Sequence, residues 1–168
     1  MVNNIFLALG SNKGDRLQYI KRAVKKISEN LSCRVLKYSS VYETTPYGTA
    51  DQPNYLNAVI EIESDLKSDE LLSFIKDLEK EIGRTPTDEK WGQREIDVDI
   101  IFYNDVIYSG DKMIIPHPEC LYRDFVMVPL VEIAPDFIHP GIGKKLSEID
   151  ILSLKKHILS QNDFPINI

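Results

Sequence analysis

Asp97 and Asp99 stand two residues apart inside the apolar run Ile96 to Tyr103. In a strand, alternate side chains share a face, so both carboxylates point one way while Ile96, Val98, Ile100 and Phe102 point the other. Carboxylates whose origins are roughly 6 to 7 Å apart repel each other unless cations sit between them. A pair of divalent ions about 4 Å apart would relieve the repulsion and organise a polyphosphate. The simpler reading of a lone Asp-x-Asp is a solvent-facing strand edge that keeps a sheet soluble. Against it, aspartate is a poor strand former, and cations bracket the pair: Arg84, Lys90 and Arg94 before it, Lys112, His117 and Arg123 after it. A solvated face has no need of so many.

Between Gly83 and Ile96 the chain has no apolar period and contains Pro86 and Gly92, which predicts a mobile loop carrying arginine and Trp91. Such a loop is either a lid or an ordinary exposed connection whose Trp91 packs on the nearest surface. The turn Gly10-Ser11-Asn12-Lys13-Gly14-Asp15 follows a strand and opens a helix, but it lacks the spacing and the Gly-Lys-Ser/Thr ending of a phosphate loop. No Gly-x-Gly-x-x-Gly occurs either, so a nucleotide would have to be held by side chains and metal.

The elements that carry these residues are legible from periodicity. Ile5 to Leu9 reads as a buried strand. Asp15 reads as an N-cap, and Leu17, Ile20, Val24, Ile27 and Leu31 as one face of the helix that follows. Arg34 to Glu43 and Asn54 to Glu63 read as two neighbouring antiparallel strands, the second with Tyr55 and Asn57 opposite its apolar face. Asp69 and Glu70 open a second helix that Gly83 closes. Ile96 to Tyr103 is a strand, and Asn104-Asp105 predicts a hairpin into a short edge strand at Val106 to Tyr108. Two further helices are expected over Phe125 to Ala134 and Leu146 to Leu159, covering the remaining sheet face. The order is βαββαβ, which predicts an α+β, ferredoxin-like core: a mostly antiparallel sheet with helices on both faces.

The 168 residues, 43% hydrophobic, fit one domain over 1–168. A net charge of -6 argues against nucleic acid as a partner. The short apolar stretch at the N-terminus predicts neither a signal sequence nor a membrane span, so a cytoplasmic protein is expected, with Cys33 and Cys120 as buried thiols. A monomer acting on small molecules is expected.

The run Trp91-Gly92-Gln93-Arg94-Glu95-Ile96-Asp97-Val98-Asp99-Ile100-Ile101 resembles the signature of the 6-hydroxymethyl-7,8-dihydropterin pyrophosphokinase family of folate biosynthesis. The likeness extends through Leu9-Gly10-Ser11-Asn12, Ser40 to Thr44, Asp51 to Asn57, Pro116-His117-Pro118, Arg123 to Val126 and Pro129 to Pro135, and covers about residues 3–150. Gln93 departs from the proline or small residue usual in the family. The tail 151–168 carries no motif.

The resemblance implies transfer of the terminal diphosphate of ATP to the hydroxymethyl group of the pterin, with AMP as the other product. A nucleotide- or metal-binding relative without activity is the alternative. It also implies that Asp97 and Asp99 hold two magnesium ions. Arg84, Arg94, Lys112, His117 and Arg123 are implied as phosphate and nucleotide contacts, a role that suits guanidinium groups, although His117 reads equally as a satisfied loop histidine. Tyr55 and Phe125 are implied to flank the pterin, with Asn57 and the backbone near Thr44 and Tyr47 reading its amide edge; without the resemblance the two aromatics read as core. Glu79 and Ile100 are implied near the nucleotide, against simpler readings as an exposed helical glutamate paired with Lys76 or Lys80 and as a buried strand residue. Trp91 is implied to close over the substrates.

Overall fold

The computed structural model describes residues 2–48, 51–85 and 92–167. Among these, nine residues buried almost throughout form β1 (Asn3–Ser11), which runs at the heart of a six-stranded sheet between β4 (Tyr55–Ser64) and β5 (Asp97–Tyr103). The far edge of β4 is shared. β2 (Cys33–Tyr38) pairs with its C-terminal half and β3 (Val41–Thr44) with its N-terminal end. The single strand expected over Arg34 to Glu43 is therefore two, broken at Ser39, whose hydroxyl accepts the Val59 N–H at 2.8 Å. Every pairing within this sheet is antiparallel.

One face is covered by α1 (Arg16–Glu29) and α2 (Ser68–Ile82). Their stripes Ile20, Val24, Ile27 and Leu71, Ile75, Leu78, Ile82 pack on Ile5, Leu7, Leu9, Ile60 and Ile62. The Asp15 side chain caps α1 by accepting the Gln18 N–H, as expected, but α1 stops at Glu29 and Leu31 stands fully exposed beyond it. Gly83 closes α2 at φ 114°, a left-handed conformation that side chains resist. The other face is covered by α3 (Asp124–Ile133), whose Val126, Met127 and Leu130 meet Phe6, Val59 and Phe102. This is the α+β arrangement expected, with helices on both sides of a mostly antiparallel sheet.

Three expectations are corrected. The stretch Leu146 to Leu159 is no helix: it makes short 3-10 turns at Leu146–Glu148 and Ile151–Ser153 and then a strand that adds to the sheet beside β3. Its apolar spacing mimics a helix, but backbone pairing with β3 satisfies the chain instead. The hairpin from β5 does not form either: Tyr108–Ser109 (β6) pairs with Ile114–Ile115 (β7) as a separate ribbon. Within β5, Phe6 pairs with Phe102 and Leu7 with Ile100, so Ile101 is an inserted residue. This bulge turns Ile101 and Phe102 together to the α3 side, whereas strict alternation put Phe102 with Ile100. With the strand at Ile158–Asn162 counted as β8, no helix among the described residues is long and apolar enough to cross a membrane.

Candidate active site

Strand register gathers the candidate residues at one end of the α3 face. Gly10 lies opposite Asp97 on one side and Asn57 on the other, Ala8 lies opposite Asp99, and Thr44 lies opposite Tyr55. A pocket opens over this row, enclosing about 1030 Å³ of space including its open mouth. Its walls include Thr44, Tyr47, Tyr55, Asn57, Arg94, Asp97, Asp99, His117, Arg123 and Phe125. Gly10 leaves room for Asn57: a Cβ there would stand 2.9 Å from the Asn57 Oδ1 and push that side chain aside. Asn57 is oriented by donating from Nδ2 to the Thr44 hydroxyl at 2.7 Å.

The two aspartates have different surroundings. Asp97 is ion-paired with Arg84 at 3.0 Å and accepts a hydrogen bond from Arg94 at 3.1 Å. Asp99 has no hydrogen bond or ion pair to its carboxylate among the described residues; burial, then the charge of Asp97, push its pKa up to about 7. The end of α2 supports this corner. Its buried Glu79 accepts the Val98 N–H of β5 at 2.8 Å, the Lys76 ammonium at 3.0 Å and the Arg84 guanidinium. Glu79 is thus neither exposed nor at the pocket wall; it holds Arg84 in place. Arg84 itself leaves the Gly83 cap with its N–H on the Glu79 carbonyl.

On the opposite wall, the Arg123 guanidinium lies 4.7 Å over the Tyr47 ring and 5.8 Å from Phe125, and it also meets Glu119. The backbone of His117 donates to the Ile101 carbonyl at 3.0 Å, and its Nδ1 accepts the Glu119 N–H at 3.3 Å. Burial, then the charge of Arg123, lower its pKa and favour the neutral imidazole, with the proton on Nε2.

Arg84, like Glu79, is not a wall residue and meets the site through Asp97, and two further expected residues lie elsewhere. Lys112 is exposed in the turn between β6 and β7, outside the pocket. The Ile100 side chain is buried in the core on the α1/α2 face, and Ile101, turned by the bulge, lines the pocket instead. Trp91, and the lid expected between Arg84 and Lys90 beyond Thr85, fall outside the described residues.

Two residues that sequence reasoning passed over organise the site. Asn12, fully buried, receives the Arg94 N–H on Oδ1 at 2.8 Å while its Nδ2 reaches Gln52 and the Pro53 carbonyl. Glu95, also buried, accepts from Lys13 at 2.7 Å and from the backbone and hydroxyl of Thr85. A polar residue of each type flanking an active motif was visible, but nothing local gave its partners.

The profile of the 7,8-dihydro-6-hydroxymethylpterin-pyrophosphokinase (HPPK) family matches residues 6–135. The chain belongs to this family. An HPPK relative from Aquifex aeolicus (strain VF5), the 2-amino-4-hydroxy-6-hydroxymethyldihydropteridine pyrophosphokinase, is 44% identical over 144 residues, 86% of this chain and 88% of that protein. The enzyme of the same name from Bacillus subtilis (strain 168) is 42% identical over 133 residues, 79% of each. The bifunctional protein FolKE of Lactococcus lactis is 34% identical over 164 residues, 96% of this chain and 47% of that one. The Plasmodium falciparum HPPK-DHPS crystal structure shares the fold, with a TM-score of 0.70 at 13% identity over 88% of this chain and 43% of that chain. The chain is accordingly an HPPK-family pyrophosphokinase, a transferase of folate biosynthesis.

Proposed function

We propose that this pocket takes 6-hydroxymethyl-7,8-dihydropterin beside ATP and directs the hydroxymethyl oxygen at the β-phosphorus, giving the pterin diphosphate and AMP. The observation that carries the reading is the row Asn57, Gly10, Asp97 across three strands, which sets a polar reader of a flat ring beside an acidic pair ringed by arginines. Tyr55 and Phe125 supply stacking surface, and Asn57, with the backbone near Thr44 and Tyr47, supplies oriented hydrogen bonds to an amide edge.

The residues fit two magnesium ions. Asp97 and Asp99 share a face, and the half-buried Asp99 carboxylate, whose charge burial disfavours, is suited to a cation. No group of three or more ligating side chains occurs among the described residues; magnesium characteristically takes one or two carboxylates and completes its shell with phosphate oxygens and water. When bound, such ions acidify the attacking hydroxyl and neutralise charge on the phosphates. Asp97 holds Arg84 and Arg94 about 3 Å away, so both forks stand where phosphate oxygens gather. Glu79 fixes the first of them and Asn12 the backbone of the second. His117 and Arg123 extend the donor surface along the opposite wall.

Incubation with ATP, the pterin and magnesium, followed by chromatography of the nucleotides, tests the proposal. AMP with the pterin diphosphate is expected. ADP would indicate a different phosphotransfer, and unchanged ATP a binding protein without turnover.

A further inference from the structure

The segment after residue 135 lies beyond the family match, and its tail carries no recognisable motif, yet it reaches the wall of the pocket. His157, just before β8, is buried. Its Nδ1 lies 3.0 Å from the Thr45 hydroxyl, its carbonyl accepts the Thr45 N–H at 2.9 Å, and its own N–H is held by the buried Asp124 carboxylate at 2.8 Å. Asp124 adjoins Phe125, and Thr45 adjoins Thr44, so this one residue ties together the two segments that form the proposed ring-binding wall.

The rings complete the arrangement. His157 lies 5.5 Å from Tyr47 and 5.8 Å from Phe125, edge-on to the latter, and those two are 5.9 Å apart. His157 is not itself at the pocket surface. Its Nε2 is buried with no hydrogen-bond partner among the described residues, a cost that a purely space-filling residue would avoid.

We infer that His157 is a positioning residue for the aromatic wall, so that the C-terminal tail, through β8, sets recognition of the heteroaromatic substrate while leaving Arg84, Arg94 and the aspartate pair untouched. This rests on the reading that the Tyr55/Phe125 wall takes the pterin. Edge-on aromatic pairs and one fixed hydroxyl partner predict that His157→Ala raises the pterin KM about 5- to 20-fold, with the ATP KM and the saturated kcat within about twofold of wild type. His157→Phe, which keeps the ring and loses the Thr45 contact, recovers part of the loss, and this variant also serves if His157→Ala melts at the assay temperature.

Steady-state kinetics in both substrates, run beside Asn57→Ala, decides the matter. A pterin KM raised by Asn57→Ala and unmoved by either His157 variant overturns the positioning role. Equal rises in both KM values also overturn it, as they mark general loosening. A pterin KM unmoved by Asn57→Ala and by both His157 variants overturns the pterin reading of the wall as well.

Discussion

Asp97 and Asp99 are two residues apart and share a face, but their surroundings divide their work. Asp97 is neutralised by two arginines, whereas Asp99 faces burial and a neighbouring negative charge that push its pKa up to about 7. The folded-state value exceeds the ordinary one of about 3.9, so the ionised side chain opposes folding in the metal-free protein. That cost is absent below about pH 4, grows as pH rises toward 7 and is complete above it. Asp99→Asn should therefore melt with wild type at pH 4 and above it at pH 8 when metal is chelated. On the proposed role as a magnesium ligand, its turnover should fall at least about 100-fold. Thermal melts at the two pH values and a steady-state rate check both halves.

The loop that ends α2 and the strand that begins β5 are joined by Glu95, not by their own backbone. Burial alone would raise its pKa, but the Lys13 ammonium and the backbone and hydroxyl of Thr85 overcome that and draw it to about 2. A value below the unfolded one of about 4.3 means stability that is present above that pH and lost as pH falls through 2. Glu95→Gln should lower the urea midpoint at pH 7 by an amount that shrinks to nothing near pH 2. The difference is bounded at about 3 kcal/mol, at roughly 1.4 kcal/mol per unit, and is smaller still because Lys13 sits half in water. Sequence periodicity located both flanking elements to within a residue or two. It could not locate this tie, because Lys13, Thr85 and Glu95 are brought together only when β1 and β5 pair.

Five separate stretches of chain, around Gly10, Thr44, Asn57, Asp97 and Arg123, converge on the pocket, so ligand binding should register in the stability of the entire molecule. ATP with magnesium at about 100 times its Kd adds about 2.7 kcal/mol, seen as a rise in Tm that Asp97→Ala abolishes. Periodicity in the chain was enough to specify the two-layer helices and sheet: the stripes of α1 and α2, the capping Asp15, the closing Gly83, and the shared face of Asp97 and Asp99 are all local patterns that packing had no cause to overrule. Of the cations that bracket the Asp-x-Asp run in sequence, Arg94, His117 and Arg123 line the pocket with it and Lys112 does not. What depended on distant partners was hidden. The bulge that exchanges Ile100 for Ile101 at the pocket is set by pairing with β1, the burial of Glu79 by the Val98 N–H, and the conversion of the tail from apparent helix to β8 by the open edge of β3. An apolar spacing records which residues leave water, whereas hydrogen-bonding partners far along the chain decide which backbone takes them there.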